Sequence, residues 1–314
     1  MVCTRGREGA GGRTRMTLKE KIESGRFVVC GEIGPPQSCD GDVLRYKSKF
    51  FKGNVDAVNI TDNQTAIVRL SSIASAKILL EAGVEPIMQM TCRDRNRLAI
   101  QSDLLGAAAL GIRNVLCLTG DHQKFGDHPE AKGVFDLDSI QLIAAVARMT
   151  RGYLLSGTEM KQAPDFFIGA AANPFAEPFE MRLIRLQKKV DVGAQFIQTQ
   201  PVFDLDLFAR WMERIVKMGL HEKTAILAGV MPVKSVKTLL WMKKEVPGVK
   251  INERYIERMK NARDPETEGV AMAVELIESL RKIPGVRGIH LMPVLWESIT
   301  PTIVKAAGLK RRSR

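Results

Sequence analysis

The sequence predicts an α/β fold, a single-domain (β/α)8 TIM barrel with insertions after strands 4 and 7. Eight short apolar segments recur along the 314-residue chain, and stretches with a helical amphipathic period lie between most of them. Strands that alternate with single helices pair in parallel through right-handed crossovers. The alternative is a doubly wound open sheet, but no GxGxxG sequence follows a predicted strand, so a dinucleotide site has no support.

The predicted strands are short apolar runs that end close to glycine, proline or polar residues. The first, FVVCGEI, stops before Pro35 and Pro36, because proline lacks the backbone donor that a sheet requires. The predicted strands cover residues 27–33, 55–62, 85–92, 114–121, 166–173, 196–203, 225–232 and 288–293.

Amphipathic stretches at 67–83, 96–111 and 180–193 predict helices. Each ends in a glycine, the residue that most readily closes a helix in the left-handed conformation. Two gaps between predicted strands are wider than the rest and hold the insertions. Residues 124–136 are predicted to form a loop over one end of the barrel, and residues 252–282 are predicted to add helix.

Composition and charge argue against a membrane-spanning helix and against nucleic-acid binding. With 45% hydrophobic and 26% charged residues the chain can bury a large core. No run of 18 apolar residues predicts a membrane span. Of the net charge of +12, the first 15 residues contribute +3 and the last five +4, which leaves about +5 spread over the rest. This distribution argues against nucleic-acid binding.

The barrel is expected to occupy residues 17–309 as one domain. The basic segment 1–16 is predicted to be disordered, and 310–314 is a basic tail. The leading segment lacks the apolar stretch of a secretory signal, so a cytoplasmic location is expected. Translation from Met16 fits the sequence as well as translation from Met1 does.

Cysteines and histidines give no sign of a disulfide framework or a metal centre. The five cysteines show no CxxC spacing and three lie in predicted strands, which favours reduced core cysteines. His122 and His128 lie near two aspartates, but they lack helical ligand spacing and a third converging ligand. We therefore predict no metal site.

Polar side chains occur near the C-terminal ends of seven of the eight predicted strands. A single such residue is equally well explained as a turn residue. Turn formation does not explain why such residues recur in seven strands. Catalytic side chains of a barrel do lie where its strands end. The sequence therefore predicts a ligand site at this rim. The residues are Glu32, Asn59, Thr61, Gln89, Thr91, Thr119, Asp121, Asn173, Gln198, Gln200 and His290.

The predicted site is rich in amides and hydroxyls, which suit a heteroaromatic ligand with several ring nitrogens, such as a flavin or a pterin. Asp121 is suited to bind a 2-amino-pyrimidinone edge. Burial disfavours the charged form of a carboxyl, so Glu32, enclosed by an apolar strand and two prolines, is the candidate general acid. His290 is interpreted as a hydrogen-bonded core residue.

Several motifs resemble those of the methylenetetrahydrofolate reductase family, and they occur in the family's order over residues 17–308. Each motif is weak alone, whereas the ordered set is specific. The motifs are GEIGPP, VNITDNQ, QMTCRDRN, LCLTGDH, AAANPFAEP, KKVDVGAQFIQTQPVFD and GVMPVKS.

The resemblance implies a flavoprotein that transfers a hydride from reduced flavin N5 to 5,10-methylenetetrahydrofolate. It implies that Glu32 protonates N10 of the folate, that Asp121 holds the pterin and tunes the flavin, and that Gln200 contacts the folate. The implied cofactor is FAD, with FMN as the alternative. The implied flavin-contacting residues are Thr61, Gln89, Thr119, Gly120, Asp121, Asn173 and Lys189.

The sequence departs from NADH-using members of that family. Val236 stands where they carry an aromatic residue that packs on the nicotinamide. The departure motivates the hypothesis that a zinc or iron–sulfur subunit supplies the electrons, and an oligomer is expected. Other departures are at Gln89, Thr119, Asn173 and Arg182.

Two other functions are open from the sequence. Pterin-dependent methyltransferases also hold methyltetrahydrofolate in (β/α)8 barrels, and they need no flavin. A non-catalytic scaffold that acts through its basic tails is the third hypothesis. The pairing of the GEIGPP and TGD motifs favours the reductase.

Overall fold

Eight parallel strands close into a barrel in the computed structural model, which describes residues 16–246 and 248–309. Each strand pairs with the next, and the last pairs with the first. The predicted barrel is confirmed. The predicted segment 1–16, apart from Met16, and the tail 310–314 lie outside the described residues. The strands are β1 (Val28–Ile33), β2 (Ala57–Ile60), β3 (Pro86–Thr91), β4 (Asn114–Leu118), β5 (Phe167–Ala172), β6 (Phe196–Pro201), β7 (Ala225–Val230) and β8 (Val286–Leu291).

Helices surround the strands, and both predicted insertions are confirmed. The gap after β4 contains a long loop with one 3-10 turn at Gln123–Phe125, and the gap after β7 contains three helices. The helices are α1 (Leu18–Glu23), α2 (Asp42–Phe51), α3 (Ser72–Glu81), α4 (Arg97–Ala109), α5 (Ser139–Thr150), α6 (Phe179–Asp191), α7 (Leu205–Lys217), α8 (Leu220–Lys223), α9 (Val236–Glu245), α10 (Glu253–Asn261), α11 (Pro265–Leu280) and α12 (Thr300–Ala306).

The predicted helix 67–83 starts five residues late. The Ser71 side chain accepts a hydrogen bond from the Ala74 backbone N–H, which fixes the first helical residue at Ser72. Residues 67–71 belong instead to the loop that leaves the barrel rim. The apolar period alone therefore placed the start wrongly, because it continues through residues that are not helical.

The lower half of the barrel is filled by apolar side chains, and α1 closes it from below. The rings of Phe167 and Phe196 stack with centroids 5.0 Å apart, and Leu18 of α1 packs into the same cluster. A buried ion pair between Lys21 and Asp56, 3.0 Å apart, ties α1 to the start of β2. The cluster consists of Leu18, Ile22, Val28, Cys30, Ala57, Ile87, Leu116, Phe167, Phe196, Ala225 and Leu227.

The inner face of the barrel changes from apolar to polar toward the C-terminal rim. Register pairs Cys30 with Ala57 low in the barrel, and it pairs Glu32 with Asn59 one inward-facing position higher. The same change occurs in β6, from Phe196 to Gln198. Apolar packing therefore holds the base together and leaves the rim free to bind polar groups.

The larger apolar core lies between the strands and the surrounding helices. Phe51 of α2 fills the space over Gly31, where an added Cβ would lie 2.5 Å from the ring. Leu79 of α3 and Trp211 of α7 are also buried in this layer. Within the described ranges, no helix combines the length and the apolar character needed to span a bilayer.

Gly169→Ala is expected to destabilise the barrel. A Cβ at position 169 would lie 2.1 Å from the Phe196 ring, and overpacking of this kind costs about 1–3 kcal/mol of unfolding free energy. Gly106→Ala is the matched control, because position 106 in α4 has open space and the helix gains about 0.5–1 kcal/mol. Urea denaturation measures both. An unchanged midpoint for Gly169→Ala contradicts the packing described for the barrel interior.

Candidate active site

A cavity of about 300 Å³ lies at the C-terminal ends of the strands. Glu32, Thr61, Asp121 and Gln200, on which the predicted site depends, all line it although they come from four parts of the sequence. Gln89, Thr119 and Gly120 line the same cavity. Barrel closure therefore gathers these seven predicted residues at one place.

A second cavity, of about 250 Å³, adjoins the first between β4, β5 and the helices that follow them. Asn173 and Lys189, the other two residues that the family resemblance assigns to the site, line this second cavity and not the first. The two cavities share four lining residues: Leu118, Thr119, Ala171 and Gln200.

Glu32 is positioned by β1 so that its carboxylate faces the cavity. Its side chain is 11% exposed, and Oε2 accepts a long hydrogen bond of 3.5 Å from Gln89 Nε2. Its inward direction follows from strand period, since Val28 and Cys30 on the same face are buried in the barrel. The carboxyl is thus largely buried and lines the cavity.

His290 lies beside Glu32, which the sequence interpretation as a core residue missed. Its Nε2 is 3.3 Å from Glu32 Oε2, and the residue is 5% exposed. Strand period places His290 on the inner face of β8, and closure of the barrel makes β8 the neighbour of β1. Strand period and the predicted closure of the barrel could together have predicted the contact between His290 and Glu32 from the sequence.

Several buried polar atoms in the upper half of the barrel have no hydrogen-bond partner among the described residues. Both amide atoms of Gln198 and Thr61 Oγ1 are in this state at the cavity lining. Asn59 Oδ1, behind the lining, is too, whereas Asn59 Nδ2 donates to the Gly31 carbonyl at 3.2 Å. An unsatisfied buried polar atom costs about 1–3 kcal/mol. A set that offers donors and acceptors together fits a ligand that presents both, as nitrogen-containing fused rings do.

Asp121 occupies the exposed rim, where residues of the loops after β2 and β3 bond to it. Its Oδ2 accepts a hydrogen bond of 3.2 Å from the Thr65 backbone N–H. Its carbonyl accepts one of 3.2 Å from Arg93 Nη1, and Arg93 Nη2 donates to the Asn63 carbonyl at 3.2 Å. Arg93, 3% exposed, therefore joins the loops after β2 and β4 at the cavity edge.

Below this rim a buried ion pair anchors the loops after β2 and β3. Asp62 Oδ2 accepts hydrogen bonds of 2.9 Å from both the backbone N–H and the hydroxyl of Thr91, and one of 2.7 Å from Arg95. Burial alone would lower the pKa of Arg95, but the adjacent Asp62 carboxylate raises it overall. Thr91 was predicted as a rim residue, whereas Asp62 and Arg95 were not predicted to have a role, because no periodic pattern marks them.

The second cavity is basic. Lys189 Nζ donates to the Ala171 carbonyl at 2.6 Å, and burial, reinforced by the nearby Arg185 charge, lowers the pKa of Lys189 to about 8. Arg182 lines the cavity with its guanidinium bonded to the carbonyls of residues 176 and 177. Three cations around one small space favour an anionic group there.

The two histidines of the loop after β4 do not converge on a common point. His128 Nδ1 lies 3.1 Å from Asp127, while His122 Nδ1 accepts a hydrogen bond from the Lys124 backbone N–H. Within the described part of the chain, no three His, Cys, Asp or Glu side chains are grouped as metal ligands.

The fold and the site define the class: a (β/α)8 barrel with a polar ligand cavity at the C-terminal ends of its strands. The chain belongs to the methylenetetrahydrofolate reductase family, whose sequence model matches residues 17–308. The resemblance found in the motifs is thereby confirmed over most of the chain.

Individual relatives are distant in sequence. The chain is 28% identical over 234 residues to "Methylenetetrahydrofolate reductase 1" of Schizosaccharomyces pombe, covering 72% of this chain and 36% of that protein. It is 25% identical over 299 residues to "5,10-methylenetetrahydrofolate reductase" of Pectobacterium carotovorum subsp. carotovorum, covering 91% and 92%. The chain thus spans nearly all of the bacterial protein and about a third of the yeast one.

A solved structure shares the fold. It is a protein from Clostridium thermocellum described as binding two copies of 5-methyl-5,6,7,8-tetrahydrofolic acid, with a TM-score of 0.64 and 16% identity. The superposition covers 93% of this chain and 98% of that one. At this identity the likeness establishes the common barrel.

Asp62→Ala is expected to lower the free energy of unfolding by about 3 kcal/mol, because it removes the buried carboxylate that pairs with Arg95 and leaves the buried Thr91 N–H without its acceptor. Arg95 keeps its ion pair with Asp103. Glu180→Ala is the control. It removes the exposed ion pair with Arg214, and such pairs contribute about 0–1 kcal/mol. Chemical denaturation compares them, and equal effects of the two substitutions would refute the anchoring role of Asp62.

Lys189 should make stability depend on pH. Its pKa is about 8 in the folded protein and 10.5 as an ordinary lysine, so the unfolded state binds more protons between these values. Its contribution to the unfolding free energy therefore rises from about pH 8 to pH 10. The measurement is the difference in unfolding free energy between the parent and Lys189→Met across this range.

The unfolding free energy of the parent minus that of Lys189→Met should rise between about pH 8 and pH 10. Lys188→Met, on the exposed side of the same helix, controls for loss of a lysine from α6. A difference that stays constant or falls between pH 8 and 10 would show that Lys189 is not held in a desolvated site.

Proposed function

We propose that this protein reduces 5,10-methylenetetrahydrofolate to 5-methyltetrahydrofolate, with a bound flavin as the hydride donor. The observation that carries the proposal is the rim cavity in which an enclosed carboxyl, Glu32, faces several amides and hydroxyls. Among these, the Gln198 amide and the Thr61 hydroxyl have no hydrogen-bond partner among the described residues. Family membership supports it, as does the name of the bacterial relative that the chain covers almost completely.

The residues at the mouth fit a flavin. The unpartnered Thr61 hydroxyl, with Gln89 close by, matches the alternating donors and acceptors of its ring system, and the adjoining basic cavity with Lys189 suits its phosphate. Thr119, Gly120, Asp121 and Asn173 are the further residues proposed to hold it. FAD is the proposed form and FMN the alternative. When bound and reduced, the flavin supplies the hydride that turns the one-carbon unit into a methyl group.

Glu32 acts on the substrate before reduction. Its proton passes to N10, the bond between N10 and the bridging carbon breaks with its electron pair going to N10, and the ring opens to a 5-iminium cation. Low exposure around Glu32 keeps water from competing for that proton. The carboxyl is left ionised at the end of the step.

Asp121 and Gln200 bind and orient the folate. A fixed carboxylate at the rim can accept two hydrogen bonds from the amino-pyrimidinone edge, and its negative charge stabilises the iminium cation. Gln200 lies where the two cavities meet, so its amide can contact a substrate in the first cavity without leaving the strand end. The solved Clostridium thermocellum barrel supports only the point that this fold has room for reduced folates.

The electron source is proposed to be a zinc or iron–sulfur partner subunit. Val236, the first residue of α9, stands at the position where an aromatic residue serves the nicotinamide in NADH-using relatives. Steady-state NADH oxidation by the purified chain alone, at ordinary reductase rates, would reject this part. The proposed oligomer and the cytoplasmic location stay predictions.

Glu32→Gln tests the chemistry. The variant should bind flavin normally and lose about 10²-fold or more of the rate at which added 5,10-methylenetetrahydrofolate reoxidises the reduced enzyme. Glu180→Gln, exposed on α6, is the matched control and should keep the parent rate. Full activity in Glu32→Gln removes the general-acid assignment.

The purified protein also distinguishes the reductase from the two alternative functions, a methyltransferase and a scaffold. A purified protein without flavin absorbance, yet able to bind methyltetrahydrofolate, would favour the pterin-dependent methyltransferase. Activity that disappears when residues 1–15 and 310–314 are trimmed would favour a role for the basic tails.

A further inference from the structure

We propose that α4 forms the interface of a symmetric dimer of this chain. In the proposed contact, the exposed sides of two copies of α4 pack antiparallel across a two-fold axis that passes Ser102. The inference goes beyond the proposed function and does not depend on it. Its starting observation is the apolar side that α4, together with its C-cap residue Leu110, turns away from the barrel.

The outer side of α4 carries leucines and small residues where a surface helix normally carries charges. Leu98 is 75% exposed, and Leu105 and Leu110 are exposed as well. These three leucines define the α4 face together with the other exposed residues between positions 98 and 110, which are Ala99, Ser102, Gly106 and Ala109. A contiguous apolar patch on a protein surface marks an interaction site.

The distribution of charge separates α4 from α7, another helix of the outer layer. The exposed side of α7 carries Asp206, Arg210, Glu213, Arg214 and Lys217. Between residues 98 and 110 the charged residue is Asp103, which lies beside the α4 face and is paired with Arg95 at 2.8 Å. Burial of residues 98–110 would therefore leave none of their charges without a partner, as in the core of a protein interface.

Gly106 has a conformation and surroundings that would accept a larger residue within the chain. A Cβ added there meets nothing within 4 Å among the described residues, and the residue lies inside the α-helix. A glycine exposed in the middle of a helix destabilises that helix relative to alanine. A partner side chain that enters the notch over Gly106 accounts for the glycine, because the side chains at a contact set how closely two helices approach.

The α4 face is complementary to itself. Leu98 lies four residues before Ser102 and Gly106 lies four residues after it, so an antiparallel copy places each Leu98 over the partner's Gly106. Leu105 and Ala99, each three residues from Ser102, meet in the same way. Both large side chains near the axis thus face small ones, and each contact occurs twice, as an isologous interface requires. A second copy of the chain has this complementarity by symmetry, whereas a different protein would have it only by coincidence.

The terminal segments of the chain do not match this face. Residues 1–15, MVCTRGREGAGGRTR, offer Met1 and Val2 as large apolar side chains and carry four arginines. Residues 310–314, KRRSR, offer none. Neither composition suits an uncharged face of three leucines, so a second copy is the occupant that fits.

Apolar residues beside α4 enlarge the contact. The Asp136 carboxylate accepts a hydrogen bond of 2.9 Å from the Arg97 backbone N–H, which places the exposed Val134 and Phe135 near the start of α4. A single crossing of two helices is smaller than a standard interface of about 800 Å² per partner, so a dissociation constant in the micromolar range is expected.

The proposed arrangement keeps both ligand sites open. α4 follows β3 and therefore runs from the rim toward the base of the barrel. Antiparallel packing of two copies of α4 points the rims of the two barrels in opposite directions. The cavities of both copies thus stay accessible to ligands.

Sedimentation velocity of the purified chain tests the interface. The parent should dimerise with a dissociation constant below about 100 µM, and Leu98→Glu should raise that constant about 30-fold or more. Glutamate suits the second position of a helix, near the positive end of the helix dipole, so the variant is expected to fold. Ile184→Glu is the matched control, because Ile184 is an exposed apolar residue of α6, and it should leave the constant unchanged.

A parent that stays monomeric up to about 100 µM overturns the proposal and leaves the α4 face to a different partner. A dimer that Leu98→Glu does not weaken, or that Ile184→Glu weakens as much, overturns it as well.

Gly106→Ala should change the dimer and the monomer in opposite directions. Its methyl group occupies the notch that receives the partner's Leu98, so the dissociation constant should rise about fivefold or more. In urea, at concentrations where the protein is monomeric, the same substitution should raise the unfolding midpoint because alanine favours the helix. A dimer as tight as that of the parent, or tighter, contradicts the notch.

A cysteine on the axis tests the symmetry, in a background of Cys3→Ser and Cys39→Ser that removes the exposed Cys39 thiol. Ser102→Cys brings two thiols together across the axis, and mild oxidation should link the two chains of the dimer. Ala109→Cys, on the same face, lies seven residues from the axis, so its two copies are about 21 Å apart and should not link. Equal linkage at both positions, or none at position 102, overturns the two-fold arrangement.

Discussion

Closure of the sheet between β8 and β1 is the constraint on which the site depends. Parallel strands with helical crossovers send all their C-terminal ends to one rim, and closure turns that rim into a ring. Residues as far apart in sequence as Glu32 and His290 become neighbours only through this last pairing. An open sheet with the same strands would place them on opposite edges.

The barrel interior is apolar at its base and polar in its upper half. Stacked Phe167 and Phe196, with α1 beneath them, supply the apolar burial that holds the base. The upper half contains polar atoms that cost stability while they lack partners, Gln198 above all. The apolar base offsets that cost, and a ligand with matching donors and acceptors would recover it as binding energy.

Recurring residue patterns in the sequence predicted the strands, most of the helices and the rim site. The recurrence of short apolar runs predicted all eight strands, strand alternation put Glu32 and Gln198 on the inner face, and the recurrence of polar strand ends predicted a rim site. Alternation does not account for Gln200, which is exposed and lies in a register shift of β6. The same patterns missed the contact between His290 and Glu32, which depends on closure, and the Asp62–Arg95 anchor, which depends on loop geometry. They also extended a helix back to residue 67, because an apolar period does not show where a serine cap ends the pattern.

The rim loops are fixed before any ligand arrives. Asn63, Thr65 and Ala66 all have left-handed backbone conformations, which for such residues cost about 1–3 kcal/mol each in unfavourable cases. Arg93 bonds the Asn63 carbonyl, and the Asp121 carboxylate bonds the Thr65 N–H. These bonds offset the strain and make the position of Asp121 depend on the loop after β2. The Asp121 carboxylate, which follows β4, is therefore held in place by the loop that follows β2, two strands away in the barrel.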